Sequence, residues 1–298
     1  MATLYTQQSK NVRKTWLLMT VFLVAVIAIG YAVGWYMNNP AFLYLAVIFA
    51  VGMNIYSYWN SDKLVIRMTG ARPVGLQEAP ELYRIVENLA ITTGLPMPKV
   101  YVIDDPAPNA FATGRDPEHA AVAATTGLLQ MLDRSELEGV MAHEMAHIGN
   151  RDMLVMTVAV VLAGFVAIVA DLLARTLMFG NGRDRHPAFL IIGIIGIILA
   201  PIAAQLIQLA ISRKREYLAD ATAALTTRYP EGLASALEKI TSYKMSMRRV
   251  SHATAHLFIS DPTGGVSKRT IGQRINGLFA THPPAADRIR ILREMDRG

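Results

Sequence analysis

Between Thr15 and Ser61 the chain carries not one Asp, Glu, Lys or Arg. A helix needs about 20 apolar residues to cross the hydrocarbon core of a bilayer, so this run has room for two spans. Asn38-Asn39-Pro40 interrupts it with a tight-turn signal. The spacing predicts spans at about Trp16–Met37 and Ala41–Trp59. Trp16, Trp35 and Tyr36, then Tyr56, Tyr58 and Trp59, fall near the predicted ends, where amphipathic rings favour the membrane interface. A cleaved signal peptide would share the basic start, Lys10 to Lys14, but its apolar core runs only about 7–15 residues. A longer run that feeds straight into a second one reads as a retained anchor.

Only 17% of the 298 residues are charged, against roughly 25% in soluble domains. The deficit is concentrated, as a membrane protein requires. Two further apolar runs complete it, Met153–Ala170 (continuing to Ala174) and Ala188–Ser212. Asp171 reads as the outer end of the third span, with Arg175 one turn later as its partner. Pro201, Gln205 and Gln208 inside the fourth are tolerable where they face other helices. Lys10, Arg13 and Lys14 precede span one, Lys63, Arg67 and Arg72 follow span two, Arg151 precedes span three, and Arg213-Lys214-Arg215 follows span four. The positive-inside rule makes that side cytoplasmic, with both termini on it. Arg175, Arg183 and Arg185 run against the rule and are outnumbered.

The net charge of +6 does not point to nucleic acid, because the cations cluster at the edges of apolar runs rather than on a face interleaved with aromatics. Anionic lipid attracts such clusters. The chain has no cysteine, so disulfides and thiolate metal ligands are excluded.

Between spans two and three, Asp62 to Asp152 reads as a folded soluble segment. Leu82, Ile85, Val86 and Leu89 repeat at helical spacing within Pro80–Gly94. Lys99–Ile103, Asn109–Thr113 and Ala120–Thr126 read as strands. Beyond span four, Glu216–Arg228, Glu231–Met245 and Ala285–Arg297 read as helices, the last begun by Pro283-Pro284. The predicted fold is therefore mainly α with a small β-sheet (α+β). It divides into residues 1–61 with two transmembrane helices, a cytoplasmic segment 62–152, a second pair of spans in 153–212, and a cytoplasmic helical part 213–298.

The chemistry lies just before span three, in His143-Glu144-Met145-Ala146-His147. Histidines four apart share one side of a helical turn, so both imidazoles can reach one metal ion. A glutamate beside the first is placed to take a proton from a water activated by that ion. Ser135 is the expected N-cap of this helix. A solvated surface turn is the bland alternative, but Val140, Met141, Ala142, Met145, Ala146 and Ile148 make the segment apolar all round, and polar groups embedded there are costly unless satisfied.

A catalytic zinc site usually has three protein ligands. With cysteine excluded, the third must be His, Glu or Asp, and Glu216 is the best candidate. Asp220, one turn further along the same face, suits a carboxylate accepting from the far nitrogen of a ligand histidine. Residues 143–147 precede one span and Glu216 follows the next, so the ion would sit close to the membrane surface and clasp the two together. His252 and His256 are also four apart but lack the adjacent glutamate, and His119 and His186 read as solvent-exposed.

The chain resembles the HtpX membrane zinc endopeptidases, relatives of the CaaX prenyl proteases. The resemblance runs through the paired N-terminal spans, Pro108–Gly114, His143–His147, Arg215-Glu216-Tyr217-Leu218-Ala219-Asp220, Ala255–Phe258, and Thr281-His282-Pro283-Pro284 with Arg288. It implies a gluzincin-like metallopeptidase domain at the cytoplasmic face of a bacterial inner membrane. It implies one zinc ion per chain on His143, His147 and Glu216, with Glu144 as general base and acid. It also suggests an edge strand, Asn109, Ala110, Phe111 and Ala112 within it, on which substrate lies extended. His282, and with it Arg288, become candidates for substrate or transition-state contact.

The leading expectation is an endopeptidase that clears damaged or misfolded membrane proteins. A CaaX-type processing protease would share the ligands but want more spans. A metal-binding or transporting membrane protein would want ionisable residues in mid-span, and would have no use for Glu144.

Overall fold

The computed structural model describes residues 4–162, 164, 213–248, 254–262 and 283–296. Helix α1 (Leu4–Tyr36) and helix α2 (Ala41–Thr69) form an antiparallel hairpin. The turn uses Asn38 at φ 49°, and the Asn39 side chain accepts from the Ala41 N–H. A methyl group on Gly30 would stand 2.2 Å from Ala46 Cβ, so the glycine is what lets the two backbones approach. Among the described residues these are the two helices long and apolar enough to cross a membrane.

Both helices outrun their apolar parts. The spans read from the sequence begin at Trp16 and end at Trp59, but α1 starts twelve residues earlier and α2 ends ten residues later. Bilayer thickness sets a minimum length, and tertiary contacts set the rest. The early turns of α1 bury Asn11 and Thr15, and the late turns of α2 bury Ser61, Val65 and Thr69.

Strands β1 (Arg72–Pro73), β2 (Lys99–Ile103), β3 (Ala110–Gly114) and β4 (Ala120–Thr125) form one sheet in the order β1-β2-β4-β3. The β2–β4 pair is parallel and the other two are antiparallel, with Phe111 opposite Ala123. Alternation along the strands separates two environments. Val100, Val102, Ala110, Ala112, Val122 and Ala124 face a core shared with α3 (Pro80–Thr93) and α5 (Arg134–Gly149). Ile103, Phe111 and Ala123 face Val65 of α2 and Met156 and Val160. The sheet thus lies between α3 and α5 on one face and α2 with the Met156–Val160 segment on the other, which is why β4 is built of small residues buried on both faces.

Two short elements escaped sequence reading. Strand β1 has only two residues, and α4 (Thr126–Met131) begins where the predicted third strand was expected to end, capped by the Thr125 hydroxyl on Leu128 N–H at 3.1 Å. The expected cap of α5 moves as well. Asp133, not Ser135, caps it, in a reciprocal box with Glu136. Ser135 donates to Asp133 from inside the first turn.

At Asn150–Arg151 the chain breaks, with Arg151 at φ 56°, and α6 (Asp152–Leu162) departs at 82° to α5. Its Leu154, Val155, Val158 and Leu162 pack on Leu18, Met19 and Phe22 of α1. The rest of the predicted third span, all of the fourth, and Asp171 and Arg175 lie outside the described residues. Helices α7 (Arg213–Thr227) and α8 (Pro230–Ser242) then pack on α5, and α9 (Ala285–Met295) packs on α7 and α8. At the α5–α8 crossing a Cβ on Gly139 would stand 2.7 Å from Leu233 N, and one on Gly232 2.8 Å from Ser135 O.

Candidate metal centre

The core closes over α5 from every side, so its polar turn is buried. His143, Glu144 and His147 are all under a tenth exposed. The two imidazoles meet edge to face with Nε2 atoms 3.1 Å apart. Helix α7 brings Glu216 opposite them, its carboxylate 3.8 Å from His143 Nε2 and 3.6 Å from His147 Nε2. One ligand atom from each of the three lies within 4.8 Å of the others.

Each imidazole is aimed from behind. Asp220, one turn after Glu216, stands 2.9 Å from His143 Nδ1. Asp152, at the start of α6, stands 3.2 Å from His147 Nδ1. An Nδ1–H donated to a carboxylate leaves the Nε2 lone pair facing inward. Asp220 is itself gripped by Arg288 of α9, whose Nε and Nη2 reach its two oxygens at 2.8 and 2.7 Å. Asp152 also accepts from Asn11 of α1 at 2.6 Å and lies 3.4 Å from Arg215 Nε.

This donor set suits a divalent ion on two counts. Donors at about 2.0–2.1 Å from a tetrahedral centre are about 3.3 Å apart, and the three separations here flank that value. The charge also balances. The cluster buries the four carboxylates of Glu144, Asp152, Glu216 and Asp220 against the two guanidiniums of Arg215 and Arg288. With neutral imidazoles, a dication makes good the difference, as buried charge demands.

The profile of peptidase family M48 matches residues 76–296. A protein named Protease HtpX homolog from Thermoanaerobacter pseudethanolicus is 48% identical over 98% of both chains. One of the same name from Tropheryma whipplei is also 48% identical over 98% of both. The chain belongs to peptidase family M48. Among solved structures, Ste24p of S. mikatae is 18% identical with a TM-score of 0.49, covering 97% of this chain and 67% of that one, a likeness too slight to carry an argument.

As an M48 member with two apolar N-terminal helices, the protein is a membrane metalloendopeptidase. The electrostatics of the centre follow from burial and charge. Burial holds Glu144 up at about 7, with Glu216 adding to it and His147, Arg288 and the Ala112 N–H opposing. Burial and the neighbouring His147 and Arg288 bring His143 down to about 4, against the pull of Asp220. For His147 burial acts downward too, but Asp152, Glu216 and Glu144 outweigh it and raise it to about 9. Burial would raise Asp220, yet Arg288 and His143 hold it below the usual carboxylate range.

Strand β3 is a sheet edge, and the residues named on it have separate surroundings. The Asn109 side chain brackets Ser260, accepting from its N–H at 3.2 Å and donating to its carbonyl at 2.9 Å. The Ala110 carbonyl accepts from Ile259 N–H. Phe111 turns to the other face of the sheet, edge-on to Phe258. Ala112 directs its N–H to Glu144. The outer edge at Asn109 and Ala110 is thus already paired within the chain, and Ala112 is the position that faces Glu144. Arg288 is buried behind His143 rather than open to solvent. His256 lies on the 3-10 turn Ala255–Leu257, and His119 is exposed beside Asp116. His186, His252 and His282 lie outside the described residues. Asp152 and Asn11 went unnoticed in the sequence.

Proposed function

We propose that this M48 peptidase is a zinc endopeptidase with four spans at the cytoplasmic face of a bacterial inner membrane, where it cuts damaged or misfolded membrane proteins. His143, His147 and Glu216 are assigned as protein ligands of one ion, and Glu144 as general base and acid. A bound zinc ion supplies a Lewis acid that polarises the scissile carbonyl and makes a water nucleophilic near neutral pH. Glu144 takes the proton of that water as attack proceeds and passes it to the departing amine. Its raised affinity for a proton, imposed by burial, matches both halves of the task. Asp220 and Asp152 keep the imidazoles aimed, and Arg288 keeps Asp220 ionised.

The observation that carries this reading is the convergence of two imidazoles and a carboxylate from two separate helices, with Glu144 beside them. Nitrogen and oxygen donors at near-tetrahedral separations, with no thiolate, favour zinc. The edge position of β3, with Ala112 directed at Glu144, supports an extended substrate lying there, since strand addition reads main chain and suits unfolded chains of many sequences. His282 is retained as a donor to the oxyanion on the strength of the Thr281–Pro284 motif. The cytoplasmic assignment of the peptidase part and both termini rests on the basic flanks of the apolar runs.

Detergent-purified full chain should cleave an unfolded test protein, stop when a chelator is added, and resume on zinc replacement. Cleavage that survives complete metal removal would overturn the assignment.

A further inference from the structure

Where α2 leaves the apolar run, its next two turns border a cleft of about 510 Å³. Four cations line it: Lys63 and Arg67 from α2, Lys99 from β2, and Arg115 just after β3. Two carboxylates, Asp62 and Glu118, line it as well, so four positive charges face two negative ones. Arg115 is spoken for. It lies 4.9 Å over the Trp59 ring, donates to the Trp59 carbonyl at 3.4 Å, and pairs with Asp116. Among the described residues, Lys63, Arg67 and Lys99 have no carboxylate within ion-pair distance.

The depth of the cleft follows from the helix. Trp59 closes the charge-free run and is half exposed, at the level where indole rings settle. Headgroups add about 5–7 Å beyond the hydrocarbon core on each side. Residues 59, 63 and 67 follow one face of α2 at i, i+4 and i+8, so Lys63 stands ~6 Å and Arg67 ~12 Å beyond Trp59 along the axis. Lys63 therefore stands within the headgroup layer, and Arg67 lies about 5 Å beyond it, a distance its long side chain can span.

We propose that this cleft binds the phosphate of an anionic phospholipid headgroup, held by Lys63, Arg67 and Lys99 above the Trp59–Arg115 stack. The site rests on α2 crossing the bilayer and on nothing about metal or catalysis. Free phosphate offers the same chemistry, but the position of the cleft favours a headgroup that is already there.

The test uses the full chain in phosphatidylcholine bilayers carrying trace nitroxide-labelled phosphatidylglycerol or phosphatidylcholine, with the protein-associated fraction of each read by spin resonance. The labelled anionic lipid should associate several-fold more strongly than the neutral one. Lys63→Gln, Arg67→Gln and Lys99→Gln together should bring the two close to parity, since each exposed cation near such a surface is worth about fivefold. Arg84→Gln, on α3, should leave the preference intact. Absence of a preference in the parent, or its full survival in the triple variant, would overturn the proposal. Millimolar inorganic phosphate displacing the label where chloride of equal ionic strength does not would identify a free-phosphate site and overturn the lipid assignment. All three side chains are exposed, so the variants put little of the fold at risk.

Discussion

Asp152 holds His147 with one oxygen, 3.2 Å from Nδ1, and accepts from Asn11 with the other at 2.6 Å. One carboxylate thereby joins the His147 imidazole to the first N-terminal helix. Asp152→Asn should fold but bind zinc about 10–100-fold more weakly. Titration of metal-stripped protein with zinc reads this directly, and unchanged affinity would show that Asp152 does not aim the ring.

Glu144→Gln should keep its zinc and lose peptide cleavage by about 10²–10⁴-fold. His143→Ala should lose the ion itself. Elemental analysis beside a cleavage assay separates the two, and wild-type turnover in Glu144→Gln would remove that residue from its role.

The proton on His147 competes with metal. Its pKa is raised to about 9, so below that pH the ion must displace a proton to bind, and above it none remains to displace. Apparent zinc affinity of the stripped protein should rise about tenfold per pH unit from near neutral and level off near 9. A flat profile between pH 7 and 8.5 would contradict this ordering of charge.

Arg288 forks onto both oxygens of Asp220 from a buried position. Removing one partner of a buried pair costs about 3–5 kcal/mol, so Arg288→Leu should lower the midpoint of thermal unfolding clearly. Arg288→Lys should recover only part of it, since an ammonium cannot make the two-pronged contact.

Gly139 lies where α5 crosses α8, with backbone 2.7 Å from where a side chain would begin. Gly139→Ala should cost about 1–3 kcal/mol through forced separation of the two helices, measurable by denaturant unfolding. Gly52, with open space around it, is the control.

The sequence was most readable where a single element carries the signal. The two apolar helices, the helical repeat of α3, the alternating strands and the i, i+4 pairs His143/His147 and Glu216/Asp220 all depend on local spacing, and each was found near its expected position. Asp152 was hidden for a geometric reason. Five residues beyond His147 on a continuous helix it would point about 140° away; only the break at Arg151 swings it back behind the imidazole. Asn11 was hidden because its partners are some 140 residues distant. The Arg288 motif was visible, but nothing in it tells whether a guanidinium faces outward or grips a carboxylate from within. Ser135 was mistaken for the cap because Asp133 and Ser135 both offer oxygens near the helix start, and only the reciprocal bond from Glu136 distinguishes them.

Asn11 precedes the first apolar run, and its amide reaches both the Asn150 carbonyl at the helix break and the carboxylate behind His147. The N-terminal hairpin is therefore more than a tether. A soluble fragment that starts after it would leave the break unbraced and one imidazole poorly held, and its chemistry should fail before its solubility does.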